Sequence, residues 1–349
     1  AAGVFTRNRV VAAPVRWSRA AVADGLLRAV VLNSGGANAC TGQPGLTDAQ
    51  VMAETTAAAL GVGAGDVAVC STGLIGTRLP MTEVTSGIGR ACAQLAATGG
   101  EAAAAAIMTT DTVIKQSAHQ GGGWTIGGMA KGAGMLAPGL ATMLVVLTTD
   151  AVISHQVLRT ALGRAAAQSF DRIDSDGCMS TNDTVLLLAS GASGARPSPA
   201  ELGGALTELL ARLGRRLVAD AEGATHDIAI TVSGAVSEAA AEAAARAVSA
   251  SNLLKCAVAG GDPNWGRVLA QLGTVPAEAC PFDPDEVDVA INGVVVFRHG
   301  APGEDRDAVD MTPRETRIDI DLSAGGAGAT VWTNDLTHGY ITINADYTT

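Results

Sequence analysis

Residues 127–150 set two different kinds of backbone end to end. The first thirteen, GGMAKGAGMLAPG, hold five glycines and a proline, a density that helix interiors and central strands tolerate poorly, so an irregular loop is expected there. Thr142–Thr149, TMLVVLTT, is then a short apolar run rich in β-branched residues and bounded by Asp150, which reads as a buried strand. Thr142 sits at the lip of that strand. A threonine hydroxyl is a poor nucleophile without an adjacent base, and one solution is to make it the first residue of a chain so that its own α-amine serves. Such an amine has an unperturbed pKa of roughly 7.7–8.0, suited to general-base work near neutral pH. Thr142 is internal, so this chemistry requires the Ala141–Thr142 bond to be broken first.

Strands and helices alternate along the rest of the chain. Strands are expected at Arg28–Leu32, Asp66–Cys70, Trp124–Ile126, Thr184–Leu188, Ile228–Val232, Thr316–Leu322, Ala329–Thr333 and Tyr340–Ile343. Helices are expected at Asp48–Leu60, from Met81, near Glu101–Ala106, and over Val157–Phe170, Leu202–Ala219 and Glu238–Ser249. Asn292-Gly293 between two β-branched runs marks a two-residue hairpin. This pattern gives an α/β (α+β) fold, layered sheets covered by helices.

Two strands run into glycine-rich turns, Asn33–Gly42 and Ser71–Gly76. Turns of this type leave backbone amides able to approach a ligand or stabilise negative charge. Lysine is scarce: only Lys115, Lys131 and Lys255 occur among 23 basic residues. A chain that otherwise relies on arginine, with a formal net charge of -11, needs a local cation to hold a substrate carboxylate, and Lys131 in the glycine-rich stretch is the candidate. The same acidity disfavours nucleic acid and anionic membranes as partners. No stretch approaches the roughly 20 apolar residues of a membrane span. The six cysteines include no CxxC pair, as expected of reduced thiols in a cytoplasmic protein with neither disulfides nor structural zinc.

The segment from Lys131-Gly132 through Gly134-Met135 to Ala141-Thr142-Met143-Leu144, the two glycine turns, Asp171–Thr184 and Asp262-Pro263-Asn264-Trp265-Gly266-Arg267 together resemble the ornithine acetyltransferase family, also called bifunctional glutamate N-acetyltransferase. The resemblance runs along nearly the whole chain. It implies an ArgJ-like, self-processing N-terminal-nucleophile fold with sheets sandwiched between helices. Cleavage between Ala141 and Thr142 would give an alpha chain, 1–141, and a beta chain, 142–349. Thr142 would be the nucleophile, and the Thr72 side chain with the Gly73 backbone N–H would form the oxyanion hole. Thr109, Lys131, Thr142, Glu222, Asn344 and Thr349 would bind substrate. The activity implied is acetyl transfer from N2-acetylornithine to glutamate for arginine synthesis, with no cofactor and no metal; some members of the family also accept acetyl-CoA. The implied assembly is two alpha and two beta chains in the cytoplasm. A further segment precedes Ala1 in that family, so the start here reads as truncated or processed. Gly139 departs from the family pattern, where a side chain is usual.

Other readings are weaker. Gly132–Ala137 fits the GxGxxA dinucleotide motif, but the motif should follow a strand and open a helix, whereas Pro138 and the Thr142 strand come next. Asp174-Ser175-Asp176-Gly177 has the D-x-D-G of a calcium loop, yet Arg172 takes the first ligand position and Asp183 replaces the closing glutamate. An aminopeptidase or amidase using the same threonine is the alternative enzyme. An alanine-rich binding protein with an intact Ala141–Thr142 bond is the non-enzymatic one.

Overall fold

The computed structural model describes residues 1–137 and 143–346. The chain divides into two compact units, one built from 1–171 with 178–220 and the other from 172–177 with 221 onward.

The first unit contains β1 (Ala2–Phe5), α1 (Ala13–Ala21), β2 (Ala29–Gly36), α2 (Gly42–Leu60), β3 (Val67–Leu74), α3 (Met81–Ala93), α4 (Gly100–Ala106), β4 (Lys115–Gln120), β5 (Thr125–Lys131), β6 (Leu144–Thr149), α5 (His155–Ala167), β7 (Thr184–Ala189) and α6 (Pro199–Ala219). Five strands form one sheet in the order β1-β7-β6-β5-β4, and β2 pairs with β3 in parallel as a separate two-stranded sheet. Alternation along β3 shows how the layers stack. Val67 and Val69 pack with Ala49, Met52 and Ala53 of α2, whereas Ala68 and Cys70 pack with Leu144 of β6 and Leu186 of β7. The β2–β3 pair thus lies between helices on one side and the five-stranded sheet on the other, with β6 and β7 apolar on both faces as buried strands must be. On the five-stranded sheet, α6 packs against β4 and β5 and α5 packs against α6.

The outer edge of β3 is closed by side chains of α1. Ser18 Oγ donates to the Val69 carbonyl at 2.6 Å and accepts the Val69 N–H at 2.8 Å, and Trp17 Nε1 donates to the Val67 carbonyl at 2.9 Å. Strand edges left open would invite pairing with other chains.

The glycine-rich stretch departs from expectation. Gly127, Gly128 and the residues to Lys131 belong to β5, a central strand paired with both β4 and β6. The reason is close approach: a Cβ on Gly128 would lie 2.3 Å from the Val146 carbonyl oxygen and 2.9 Å from Leu147 Cα. Gly128 thus removes a side chain for which the neighbouring strand leaves no room. The latter part of the expected loop, with Ala141 and Thr142, lies outside the described residues.

The second unit contains β8 (Asp227–Ala235), α7 (Glu238–Ser249), α8 (Asn252–Ala259), α9 (Trp265–Leu272), β9 (Asp288–Ile291), β10 (Val294–Arg298), β11 (Ala301–Pro302), β12 (Glu315–Asp321), β13 (Ala327–Asn334) and α10 (His338–Asp346). Its six-stranded sheet runs β11-β10-β9-β12-β8-β13. In β12 Thr316, Ile318 and Ile320 are buried while Glu315, Arg317, Asp319 and Asp321 are exposed, the alternation of a sheet covered on one face. Ala240, Ala241, Ala244 and Ala245 of α7 join that core. Trp265 stacks on Phe297 with ring centroids 5.2 Å apart, a packing role. Asn292 and Gly293 both take positive φ between β9 and β10, as the hairpin signal requires. The strand expected at Tyr340–Ile343 is instead part of α10. Thr337 Oγ1 accepts the Tyr340 N–H at 3.1 Å at its start, and β-branched residues form strands only where a neighbouring strand offers pairing and packing.

Candidate active site

In the first unit the end of β3 faces the end of β5. Thr72 and Gly73 were expected in a turn, but β3 continues through them to Leu74, with Ser34 opposite Thr72 and Gly35 opposite Gly73. Gly73 has φ +127°, and a Cβ there would lie 2.4 Å from the Gly35 carbonyl carbon, so both conformation and space demand glycine. The strand keeps Thr72 buried while aiming its hydroxyl at Lys131. Lys131 Nζ donates to Thr72 Oγ1 at 3.2 Å and to Thr109 Oγ1 at 2.8 Å. Thr109 is exposed, so the buried ammonium of Lys131 is bonded to the side chain of a residue at the surface. Three of the sequence-predicted residues, Thr72, Thr109 and Lys131, therefore meet, with Gly73 adjacent.

Acidic residues that the sequence did not single out support this cluster. Asp111 Oδ1 accepts the Gly132 N–H at 2.7 Å and Lys115 Nζ at 2.6 Å; its Oδ2 accepts the Thr109 N–H at 3.2 Å and lies 3.7 Å from Lys131 Nζ. Burial pushes the Asp111 carboxyl up, but the charges of Lys131 and Lys115 and the Lys115 and Gly132 hydrogen bonds outweigh it and hold it below the usual value. Lys115 also pairs with Asp220, which accepts the Thr112 N–H at 3.0 Å. Only the scarcity of lysine hinted at Lys115, and nothing in sequence linked it to Asp220.

β5 lies antiparallel to β6 with Lys131 opposite Leu144, so the lysine is in register with the strand that Thr142 precedes. Met143 is anchored on both sides of its peptide group: its N–H donates to Asp183 Oδ1 at 3.0 Å and its carbonyl accepts the Thr184 N–H at 3.1 Å. Asp183 is fully buried, and its Oδ2 has no hydrogen-bond partner among the described residues. Burial raises its carboxyl well above the ordinary value, which the Met143 N–H and the Lys131 charge do not offset.

Glu222 and Asn344 meet in the second unit, where Asn344 Nδ2 donates to Glu222 Oε2 at 2.9 Å. Glu222 lines a cavity of about 390 Å³ together with Asp174, Asp176, Lys255, Asp335 and Tyr340, within the size range of small-molecule sites. Lys255 donates to the Ser175 carbonyl; burial lowers its pKa against the opposing charge of Asp174. Ala141, Thr142 and Thr349 lie outside the described residues. Among those described, no group of three or more His, Cys, Asp and Glu is placed to hold a metal ion, and no helix is long and apolar enough to cross a membrane. None of the six cysteines is in a disulfide.

The lysine and two threonine hydroxyls gathered beside the glycine-bearing end of β3 are donors of the kind an acyl-transfer enzyme sets against a developing oxyanion. The chain matches the family model described as the ArgJ family over residues 1–349, and it belongs to that family. It is 59% identical over 351 residues to the arginine biosynthesis bifunctional protein ArgJ of Bifidobacterium longum, covering 99% of this chain and 90% of that protein. The protein of the same description from Thermobifida fusca is 59% identical, with 100% of this chain and 90% of the relative covered. A crystal structure of the arginine biosynthesis bifunctional protein from Bacillus halodurans superposes with a TM-score of 0.54 at 32% identity, over 57% of this chain and 97% of that one.

Proposed function

We propose that this chain is an ornithine acetyltransferase of arginine biosynthesis. It moves the acetyl group of N2-acetylornithine to glutamate by way of an ester on Thr142, after cutting itself between Ala141 and Thr142. The observation that carries the reading is the Lys131 ammonium held on the hydroxyls of Thr72 and Thr109, on the strand beside the one Thr142 precedes. Donor and acceptor are both α-amino-acid derivatives with a carboxylate for Lys131 to bind, so one site can take them in turn.

In the first half-reaction the Thr142 hydroxyl attacks the acetyl carbonyl and its own freed α-amine takes the proton. The Thr72 hydroxyl and the Gly73 N–H face the developing oxyanion. Collapse releases ornithine, with the proton returned to its α-nitrogen, and leaves acetyl-Thr142. The glutamate α-amine then attacks the ester, giving N-acetylglutamate and restoring the hydroxyl. On the family resemblance, Glu222 and Asn344, hydrogen-bonded to each other in the second unit, and Thr349 are further substrate contacts. The relatives are described as bifunctional, which supports acetyl-CoA as a second donor.

Cutting would give chains 1–141 and 142–349. They would stay joined, because β1, β4 and β5 come from the first piece and β6 and β7 from the second, yet all five share one sheet with the pieces meeting at β1–β7 and β5–β6. The Bacillus halodurans chain is matched over nearly its whole length by little more than half of this one, in keeping with a cut protein. We assign the assembly, on the family resemblance, as two alpha and two beta chains in the cytoplasm.

Intact mass should show both pieces, and Thr142→Ala should leave one chain. Enzyme mixed with N-acetylornithine alone should release ornithine in an amount comparable to the sites and gain about 42 Da, one acetyl group, on the 142–349 piece. Absence of that gain, with intersecting double-reciprocal lines, would require direct transfer and remove Thr142 from its role. Acetate released without glutamate would indicate an amidase.

A further inference from the structure

We propose that Asp111 and Lys115 are positioning residues that keep the Lys131 ammonium charged and directed at the substrate rather than at its own neighbours. The inference rests on the reading that Lys131 binds a substrate carboxylate.

The geometry is a line of alternating charges, Asp220, Lys115, Asp111 and Lys131, with Lys115 and the Asp111 side chain fully buried. Asp111 is not shared evenly. It lies 2.6 Å from Lys115 Nζ but 3.7 Å from Lys131 Nζ. The Gly132 N–H on Oδ1 and the Thr109 N–H on Oδ2 fix its plane, so one carboxylate ties together the two segments that carry Thr109 and Lys131. A buried ammonium with no nearby negative charge gives up its proton, whereas one in tight contact with a carboxylate has its charge spent. Asp111 at 3.7 Å avoids both outcomes, and Lys115, itself steadied by Asp220, draws it to that distance. Among the described residues Asp183 also faces Lys131, and burial raises its carboxyl, which favours the neutral form.

The two partners therefore have distinct signatures when removed. Asp111→Asn takes away the charge that keeps Lys131 protonated. KM for N-acetylornithine should rise roughly tenfold or more, the range of a lost charge-assisted contact, and should climb with pH through one ionisation absent from the wild type. Lys115→Met releases Asp111 towards Lys131, so KM should rise by a similar factor at every pH with no new ionisation. In both, kcat should change less than KM, because ground-state binding is what is lost.

The measurement is KM for N-acetylornithine from pH 6 to 9 in the self-processed full chain, with thermal unfolding of each variant as the check on folding. For Asp111→Asn, a lower melting temperature with the pH dependence of KM left as in the wild type would mean a purely structural role and would overturn the inference; for Lys115→Met, an unchanged KM would do so. Wild-type enzyme gives the baseline: the Thr142 α-amine titrates at roughly 7.7–8.0, so the ionisation that Asp111→Asn adds must be one beyond it. If Lys131→Met itself leaves KM unchanged, the underlying substrate reading fails; if Lys131→Met raises KM while Asp111→Asn and Lys115→Met do not, only this inference fails.

Discussion

Replacing Gly128 with alanine places a methyl group 2.3 Å from the Val146 carbonyl oxygen, 2.6 Å from Leu147 Cδ2 and 2.9 Å from Leu147 Cα. Two of these atoms are backbone of β6, which is pinned between β5 and β7, so the contact is relieved only by prising β5 from β6. Overpacking of a rigid core typically costs about 1–3 kcal/mol, and with backbone on the far side the upper end is expected, about 3 kcal/mol. For a unit of this size each kcal/mol moves Tm by about 2–4 °C, so the calorimetric transition of the first unit should fall by roughly 6–12 °C. Gly127→Ala is the control: its nearest atoms, at 3.3–3.6 Å in Ser117 and Ala118, are near ordinary contact, and little change is expected. Because β5 ends at Lys131, Gly128→Ala should also raise KM for both substrates. Equal melting temperatures for the two variants would refute the close-approach explanation of Gly128.

Thr72→Ala should lower kcat by roughly 10²–10³ if its hydroxyl stabilises the oxyanion, and a change confined to KM would assign it to substrate binding instead. Stability should depend on pH with opposite signs at two aspartates. The raised Asp183 carboxyl contributes stability that is fully present below the unfolded value of about 3.9 and lost as pH rises through the folded value; urea unfolding of Asp183→Asn should lack that decline. The lowered Asp111 carboxyl contributes stability present above about 3.9 and lost as pH falls through its folded value, so Asp111→Asn should be less stable at neutral pH and show a flatter acid profile.

What the sequence revealed and what it hid have separable physical causes. α7 was legible to the residue, and β6, β7 and the Asn292-Gly293 hairpin nearly so, because burial periodicity and a two-residue turn are local signals. Residues 127–131 were misread because glycine density is ambiguous: it marks a loop, but also a strand that a neighbour approaches closely. α10 was misread because strand propensity presumes a pairing edge. α8 escaped because eight residues carry too few turns for a periodic signal, although Ser251 caps it by accepting the Leu254 N–H. In the site, Thr72, Thr109 and Lys131 were reached through rare lysine and family motifs. The Lys115–Asp220 pair joins residues 105 apart and exists only once the sheet has formed.

All three lysines are buried, Lys115 at 0%, Lys131 at 2% and Lys255 at 6% exposure, while the remaining basic side chains are arginines. The native surface therefore offers amine-directed reagents no exposed lysine to modify. Stray acylation of its surface lysines is excluded by their absence. The same arrangement turns lysine reactivity into a clock for opening of the interior: Lys115 reports on the first unit and Lys255 on the second, so the order in which they become labelled reads out which unit opens first.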